Sequence, residues 1–410
     1  MHVARLSLVD FRNYARAELE LGPGATVLVG RNGQGKTNLV ESIGYLATLA
    51  SHRVSGDQAL VRAGADAAIV RALLAHGDRE VLVELQLNRQ GSNRAQVNRS
   101  PAKPRDLPRV VHSVLFAPED LAIVRGEPAV RRRVLDGLLV QRTPRLAGVM
   151  ADYDRVVRQR NTLLKSARTR GIAASALTTL DIWDERLVEL GSELIDARIR
   201  LIADLAEPVA DAYRSIVDAD HRPELVPVLS IDGADAEDQD GGAVAQVRGA
   251  VPGTDSALSG TAEFTGAVAA GTAERFAAAL SRLRSKELER GVTLAGPHRD
   301  DVLLLLNGLP AKGYASHGES WSFALALRLA SADLLRRDST TGDPVLVLDD
   351  VFAELDRVRR ERLAAAIGGY EQVLVTAAVL EDVPEPLTAR IIHVEAGRIV
   401  ETADDGVAHV

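Results

Sequence analysis

The sequence predicts an α/β protein in which one head is formed from both chain ends and a mainly helical second lobe is inserted between them. Three observations predict it. Near the start, an apolar strand at 25–29 runs into a glycine-rich turn and then a helical stretch at 38–49. Near the end, strands and helices alternate, and the apolar strand 344–348 terminates in Asp349-Asp350. Between the two, long stretches carry apolar residues at three-to-four spacing with charged residues on the other side, the pattern of amphipathic helices. Such a chain leaves its first sheet early and returns to it late.

The elements follow in order. Alternation marks a strand at 3–8, which leads into Asp10-Phe11-Arg12-Asn13-Tyr14. Further strand-like runs lie at 68–74, 80–87 and 110–116. After Pro118 the texture is helical, with helices predicted at 127–139, 145–166 and 178–216. The segment 231–272 is rich in Gly, Ala, Asp, Ser and Thr and poor in large apolar residues, which predicts an insertion with little stable structure. A helix at 273–290 follows, then strands at 292–294 and 302–306, a helix at 321–337, a strand at 344–348, a helix at 357–367, and strands at 372–376 and 390–394. The expected division is head 1–120, helical lobe 121–290 with its insertion at about 232–272, and head 291–410.

Composition narrows the chemistry. Aromatic residues are 3% of the chain, so the core must be built from Val, Leu, Ile and Ala. Cysteine is absent, which excludes disulfides, thiolate nucleophiles and zinc–thiolate sites together. The formal net charge is −8, so any nucleic-acid contact must be a local patch rather than the whole surface. No run approaches the ~20 apolar residues that span a bilayer. Met1-His2-Val3-Ala4-Arg5 does not open a signal-type leader. A cytoplasmic protein without membrane contact is expected.

Gly30-Arg31-Asn32-Gly33-Gln34-Gly35-Lys36-Thr37 fits G-x-x-x-x-G-K-[ST] at every fixed position, between an apolar strand and a helix. Glycines there let backbone N–H groups curl around phosphates, and the helix N-terminus adds its dipole. Lys36 would bridge the β- and γ-phosphates of ATP, and the Thr37 hydroxyl would hold Mg²⁺. The metal needs a carboxylate, and the strand ending in Asp349-Asp350 supplies it. Asp349 would serve the metal, and Asp350 would orient the attacking water. About 310 residues separate the two motifs, far more than a compact kinase or small GTPase requires.

Ser316-His317-Gly318-Glu319 opens a helix shortly before the acidic strand. It resembles the S-x-G-Q/E signature of ABC and SMC-type ATPases, and it equally fits a helix N-cap with Glu at the third position. Its place before Asp349, with Glu354-Leu355-Asp356 just after the acidic pair, favours the signature. Several blocks then narrow the resemblance: Leu8-Val9-Asp10-Phe11-Arg12-Asn13-Tyr14, Phe116-Ala117-Pro118-Glu119-Asp120-Leu121, Arg131-Arg132-Arg133-Val134-Leu135-Asp136, Gly296-Pro297-His298-Arg299-Asp300-Asp301, and the run from Leu348 to Asp356. In this order they resemble the RecF family of bacterial DNA replication and repair proteins over nearly the whole chain.

That resemblance implies a P-loop ABC/SMC-type head that dimerises on ATP, with Ser316, Gly318 and Glu319 meeting nucleotide bound by a second copy. It implies a weak DNA-dependent ATPase acting at single-strand gaps, with single- and double-stranded DNA, RecO and RecR as partners. RecA loading and the SOS response would be its downstream roles. Arg12 and Asn13 would lie near the nucleotide. Two departures stand out: Glu319 replaces a common Gln, and 372–377 lacks the switch histidine of ABC transporters. The alternatives are another SMC-like chromosome ATPase, which would need a longer heptad arm, a transporter ATPase subunit, which would need a shorter helical insert, and a DNA-binding scaffold without turnover. Candidate DNA contacts are Arg131, Arg132, Arg133, Arg155, Arg158 and Lys165, within a locally basic helical segment. The arginine triplet equally suits a structural brace. No aromatics interleave with them, so a base-stacking platform is disfavoured. His298 lacks a second histidine at ligand spacing and reads as structural.

Overall fold

The computed structural model describes residues 1–400 apart from 55, 172–177, 218 and 234–270. Most of the expected insertion therefore lies outside the described residues. Contacts divide the chain into two units: Met1–Ala122 with Glu207–His221 and Ser316–Val410, and Ile123–Ala206 with Arg222–Ala315.

The first unit contains two six-stranded sheets. One is parallel except at an edge, in the order β15-β14-β3-β13-β12-β8. Its strands are β3 (Gly24–Val29), β8 (Ser113–Phe116), β12 (Val345–Asp349), β13 (Gln372–Ala377), β14 (Ile391–Glu395) and β15 (Arg398–Val400). Strand β3 lies between β13 and β14, so residues from both chain ends interleave as the sequence predicts. The central strands β12 and β13 are short and buried throughout, as parallel strands covered on both faces must be. The other sheet is antiparallel, in the order β2-β1-β4-β5-β6-β7. It comprises β1 (His2–Phe11), β2 (Tyr14–Glu20), β4 (Ala67–His76), β5 (Arg79–Asn88), β6 (Arg94–Val97) and β7 (Ser100–Ala102).

Helix α1 (Lys36–Thr48) joins both sheets through one core. Leu39, Val40, Ile43 and Leu46 of α1 cluster with Leu6, Leu8 and Val70 on one side and with Val345, Val347 and Leu374 on the other. The helix is buried on nearly every face, which fixes its position tightly. Truncating a side chain such as Ile43 to Ala would cost about 2–5 kcal/mol.

The second unit holds α2 (Leu121–Arg125) in part, α3 (Pro128–Arg142), α4 (Leu146–Arg170), most of α5 (Thr178–Ile216) and α6 (Thr272–Arg290). It also has a small antiparallel sheet of β9 (Glu224–Val228), β10 (Asp301–Leu306) and β11 (Leu309–Pro310). Strand β9 is absent from the sequence prediction, and its pairing with β10 keeps residues 291–315 in this unit. Residues 292–294, expected as a strand, form a loop instead. Asn161 Oδ1 accepts from the Thr293 N–H at 2.7 Å, and Glu287 Oε1 accepts from the Leu294 N–H at 2.8 Å, so side chains replace a ladder there. Arg160 is fully buried and bonds Asp184, Glu287 and Thr293. Helices α7 (His317–Asp338) and α8 (Arg357–Ile367) belong to the first unit.

Candidate nucleotide site

The loop Gly30–Thr37 leaves β3 and enters α1, as its sequence predicts. Gly35 sits at φ 113°, and a Cβ there would lie 2.6 Å from Tyr14 Oη. A Cβ on Gly30 would lie 2.2 Å from the Val394 carbonyl oxygen. Glycine is required at both, by backbone conformation at one and by close approach at the other. Lys36 is 3% exposed, and its ammonium donates to the carbonyls of Gly30 at 2.7 Å and Arg31 at 3.4 Å. Gln34 is clasped by the turn between β14 and β15: its side-chain oxygen accepts from the Ala396 N–H and its carbonyl from Gly397. Arg31, Asn32 and Gly33 are exposed.

Thr37 and Asp349 meet across 312 residues, with Thr37 Oγ1 donating to Asp349 Oδ1 at 2.9 Å. Thr376 Oγ1 donates to the same oxygen at 2.6 Å and accepts from the Asp350 N–H at 3.0 Å. Thr376 reaches this position because β12 and β13 run parallel with Asp349 opposite Thr376. Burial raises the Asp349 pKa, and the two hydroxyl hydrogen bonds oppose that rise. Asp350 takes φ 51°, a left-handed conformation that is sparse for a side-chain-bearing residue and frequent at functional turns. His52, missed in the sequence, places a buried Nε2 4.0 Å from Asp349 Oδ2, and burial lowers its pKa. Among the described residues no group of three His, Asp or Glu side chains could hold a metal alone. One hydroxyl and one carboxylate beside a phosphate loop fit Mg²⁺, which takes most of its ligands from water and phosphate.

Arg12 and Asn13 flank the loop rather than enter it. Arg12 forms a bidentate pair with Glu41 on α1, at 2.8 and 2.6 Å. Asn13 donates to the Gln34 carbonyl at 3.4 Å and accepts from Asn38 at 2.7 Å.

Ser316 caps α7 in a reciprocal capping box. Its hydroxyl accepts from the Glu319 N–H at 3.2 Å, and Glu319 accepts from the Ser316 N–H at 2.8 Å. Those hydrogen bonds from Ser316 hold the Glu319 carboxyl below its usual pKa. A Cβ on Gly318 would lie 3.0 Å from the Arg359 guanidinium. Among the described residues no hydrogen bond or ion pair joins Ser316 to the phosphate loop of its own chain.

The arginine triplet divides. Arg131 is 5% exposed in its side chain and forks onto Asp301 at 2.7 Å through both nitrogens, with its third bonded to the Ile123 and Gly126 carbonyls. That is the brace, and it leaves no face for a phosphate. Arg132 donates to the Asp300 carbonyl at 2.7 Å. Arg155 pairs with Asp152 at the surface, while Arg133, Arg158 and Lys165 are exposed. His298 is half-buried and bonded to Tyr153 Oη at 2.7 Å, and desolvation pushes its pKa down to about 4.

A phosphate loop between two sheets, an acidic strand beside it and a serine-capped helix ahead of that strand define an ABC/SMC-type ATPase head. The family model described as the RecF/RecN/SMC N terminal domain matches residues 2–392. The DNA replication and repair protein RecF of Leifsonia xyli subsp. xyli is 61% identical over 401 residues, 98% of this chain and 100% of that protein. Its counterpart in Clavibacter michiganensis subsp. michiganensis is 62% identical over 408 residues, 98% of this chain and 96% of that one. The solved structure of the recombination mediator protein RecF-ATP in the RecFOR pathway matches with a TM-score of 0.81 at 25% identity, over 98% of both chains. The chain belongs to the RecF family.

Proposed function

We propose that this chain is an ATP-dependent DNA-binding protein of recombinational repair and replication, dimerising on ATP at gaps or duplex–single-strand junctions. The observation that carries it is the Thr37–Asp349 hydrogen bond, which joins the phosphate loop to the acidic strand across 312 residues. Lys36 binds the β- and γ-phosphates, and the loop N–H groups orient them. Thr37 and Asp349 would hold Mg²⁺, which supplies neutralising charge to the phosphate oxygens. Asp350 positions the attacking water and accepts its proton. Ser316 and the positive end of α7 meet the γ-phosphate held by a second copy, so nucleotide joins two heads. A short Asp at position 350, where Glu reaches further, fits slow, DNA-stimulated turnover. RecO and RecR are the expected partners in loading RecA and supporting the SOS response, in the cytoplasm. No helix among the described residues is long and apolar enough to cross a membrane.

Ser316→Arg tests the shared site. It should leave ATP binding by the monomer intact while blocking ATP-dependent dimerisation, because a long cation fills the approach to α7. Lys36→Ala should lose nucleotide binding itself. Sedimentation with a non-hydrolysable ATP analogue reads both, and a Ser316→Arg protein that dimerises like wild type reduces Ser316 to a helix cap.

A further inference from the structure

The cations chosen by sequence density are partly committed inside the second unit, whereas a different set in the first unit is free. Residues 89–105 contain five cations and no acid, in a chain of net charge −8. Arg89 is tied to the carbonyls of Ala65, Val61 and Arg62. Arg94, Arg99, Lys103 and Arg105 are exposed and have no hydrogen bond or ion pair among the described residues.

The fold places these four together. Strands β6 and β7 pair with Ala95 opposite Ala102 and Val97 opposite Ser100. Arg94 begins β6 and Lys103 directly follows β7, so both lie next to the last ladder pair, Ala95 with Ala102. Arg99 occupies the two-residue turn, where Asn98 and Arg99 take φ 50° and 65°. Arg105 follows in the turn Pro104–Arg109. With Ser92 and Asn93, Lys103 and Arg105 line an open hollow of about 580 Å³. The acids nearby are engaged: Asp57 accepts from Tyr45 at 2.6 Å and Asn93 at 2.8 Å, and Asp106 lies 3.8 Å from Arg109. Like charges gathered at one end of a hairpin repel, and an external polyanion relieves that repulsion.

We infer that the β6–β7 hairpin and the turn after it are a docking surface for the sugar–phosphate backbone of duplex DNA, through Arg94, Arg99, Lys103 and Arg105. The inference rests on the DNA-binding reading proposed above and adds where the duplex lies. A duplex fits better than a single strand because no exposed aromatic accompanies the cations; Tyr45, in the hollow, is 3% exposed. Of the four, Arg94 lies in the ladder, Arg99 in its turn, and Lys103 and Arg105 directly after it, so one hairpin and the turn that follows present them all. Contact of this kind is independent of sequence and steeply dependent on salt.

The test compares the full chain with its R94Q/R99Q/K103Q/R105Q variant, by fluorescence anisotropy on a labelled duplex with ATP across a salt series. Losing four phosphate contacts should lower affinity about 100- to 1,000-fold near physiological salt and flatten the log K against log salt slope by about 3–4. ATP affinity and the melting curve should match wild type. R94K/R99K/R105K should retain wild-type affinity, because charge rather than fork geometry is read. Charged edge strands also prevent strand-to-strand association. A glutamine variant that self-associates in sedimentation while binding duplex with the wild-type slope would show edge protection only and overturn the inference. Retained duplex affinity with lost binding to polyglutamate would overturn it in favour of an acidic protein partner. Wild type that binds no duplex in any nucleotide state would sink the DNA-binding reading itself, a distinct result.

Discussion

Asp301→Ala tests whether the basic triplet in α3 serves the fold or a ligand. The Asp301 side chain is 1% exposed and holds both nitrogens of the Arg131 fork at 2.7 Å, while its Oδ1 also accepts from the Val302 N–H. Truncation leaves a buried guanidinium without its counter-charge, and breaking such a pair costs about 3–5 kcal/mol. At about 2–4 °C per kcal/mol for a unit of this size, the thermal midpoint should fall by roughly 6–20 °C. Circular dichroism melts and urea titrations would measure it. The double change Arg131→Met with Asp301→Leu should recover most of the loss, since apolar replacement of a buried pair is often neutral or stabilising by about 1–4 kcal/mol. Duplex affinity of the folded double variant should keep the wild-type salt slope. The reasoning is refuted if Asp301→Ala melts with wild type, or if the double variant flattens the salt slope by about 1, as a lost phosphate contact would.

Two further predictions concern single carboxylates. Asp350→Asn should preserve ATP binding, lower turnover by about 10²–10⁴ and lengthen the lifetime of the ATP-dependent dimer, because an amide is a poor proton acceptor; Asn tolerates the left-handed backbone there, and wild-type turnover in a coupled phosphate-release assay would assign the water to another residue. Asp300 is buried, which raises its pKa to about 6 from 3.8, with hydrogen bonds from Ser230 opposing the rise. Its folded pKa lies above the unfolded one, so its contribution to stability is present below pH 3.8 and is lost as pH rises through about 6. Asp300→Asn should therefore gain stability over wild type progressively between pH 4 and pH 7 in urea titrations. His298, with its pKa near 4, slopes the opposite way in both proteins and cancels from that difference. A gap that does not widen with pH would mean that Asp300 is not desolvated as a charge.

The phosphate-loop motif was legible because its residue types all fall within eight consecutive positions, Gly30 to Thr37. The contacts that exclude a side chain at Gly30 and Gly35, from Val394 and Tyr14, were not. Asp349 was legible because a buried apolar strand that stops at two acids is unusual. Thr376 was not: its role depends on the parallel register that sets it opposite Asp349, and a threonine in a strand is ordinary β texture. The clasp on Gln34 depends likewise on where β14 turns. The triplet was ambiguous because counting charge cannot see a partner 170 residues away, as Asp301 is from Arg131. Strands β2, β6, β7, β9, β11 and β15 were missed because none carries the unbroken run of large apolar residues that marks β8 and β12.

The interleaving of β3 between β13 and β14 bears on how the protein is made. In the ladder Gly24 faces Gln372, 348 residues later, and Val27 faces Ile391. At about 5–20 residues per second of synthesis, some 17–70 s pass between the emergence of β3 and that of its neighbours. During that time the strand carrying the phosphate loop has no parallel partner, while the antiparallel sheet, which pairs within the first 102 residues, is already complete. The ribosome thus releases a pocket that closes last, so nascent chains and C-terminally clipped products should hold a folded antiparallel sheet and yet fail to retain nucleotide.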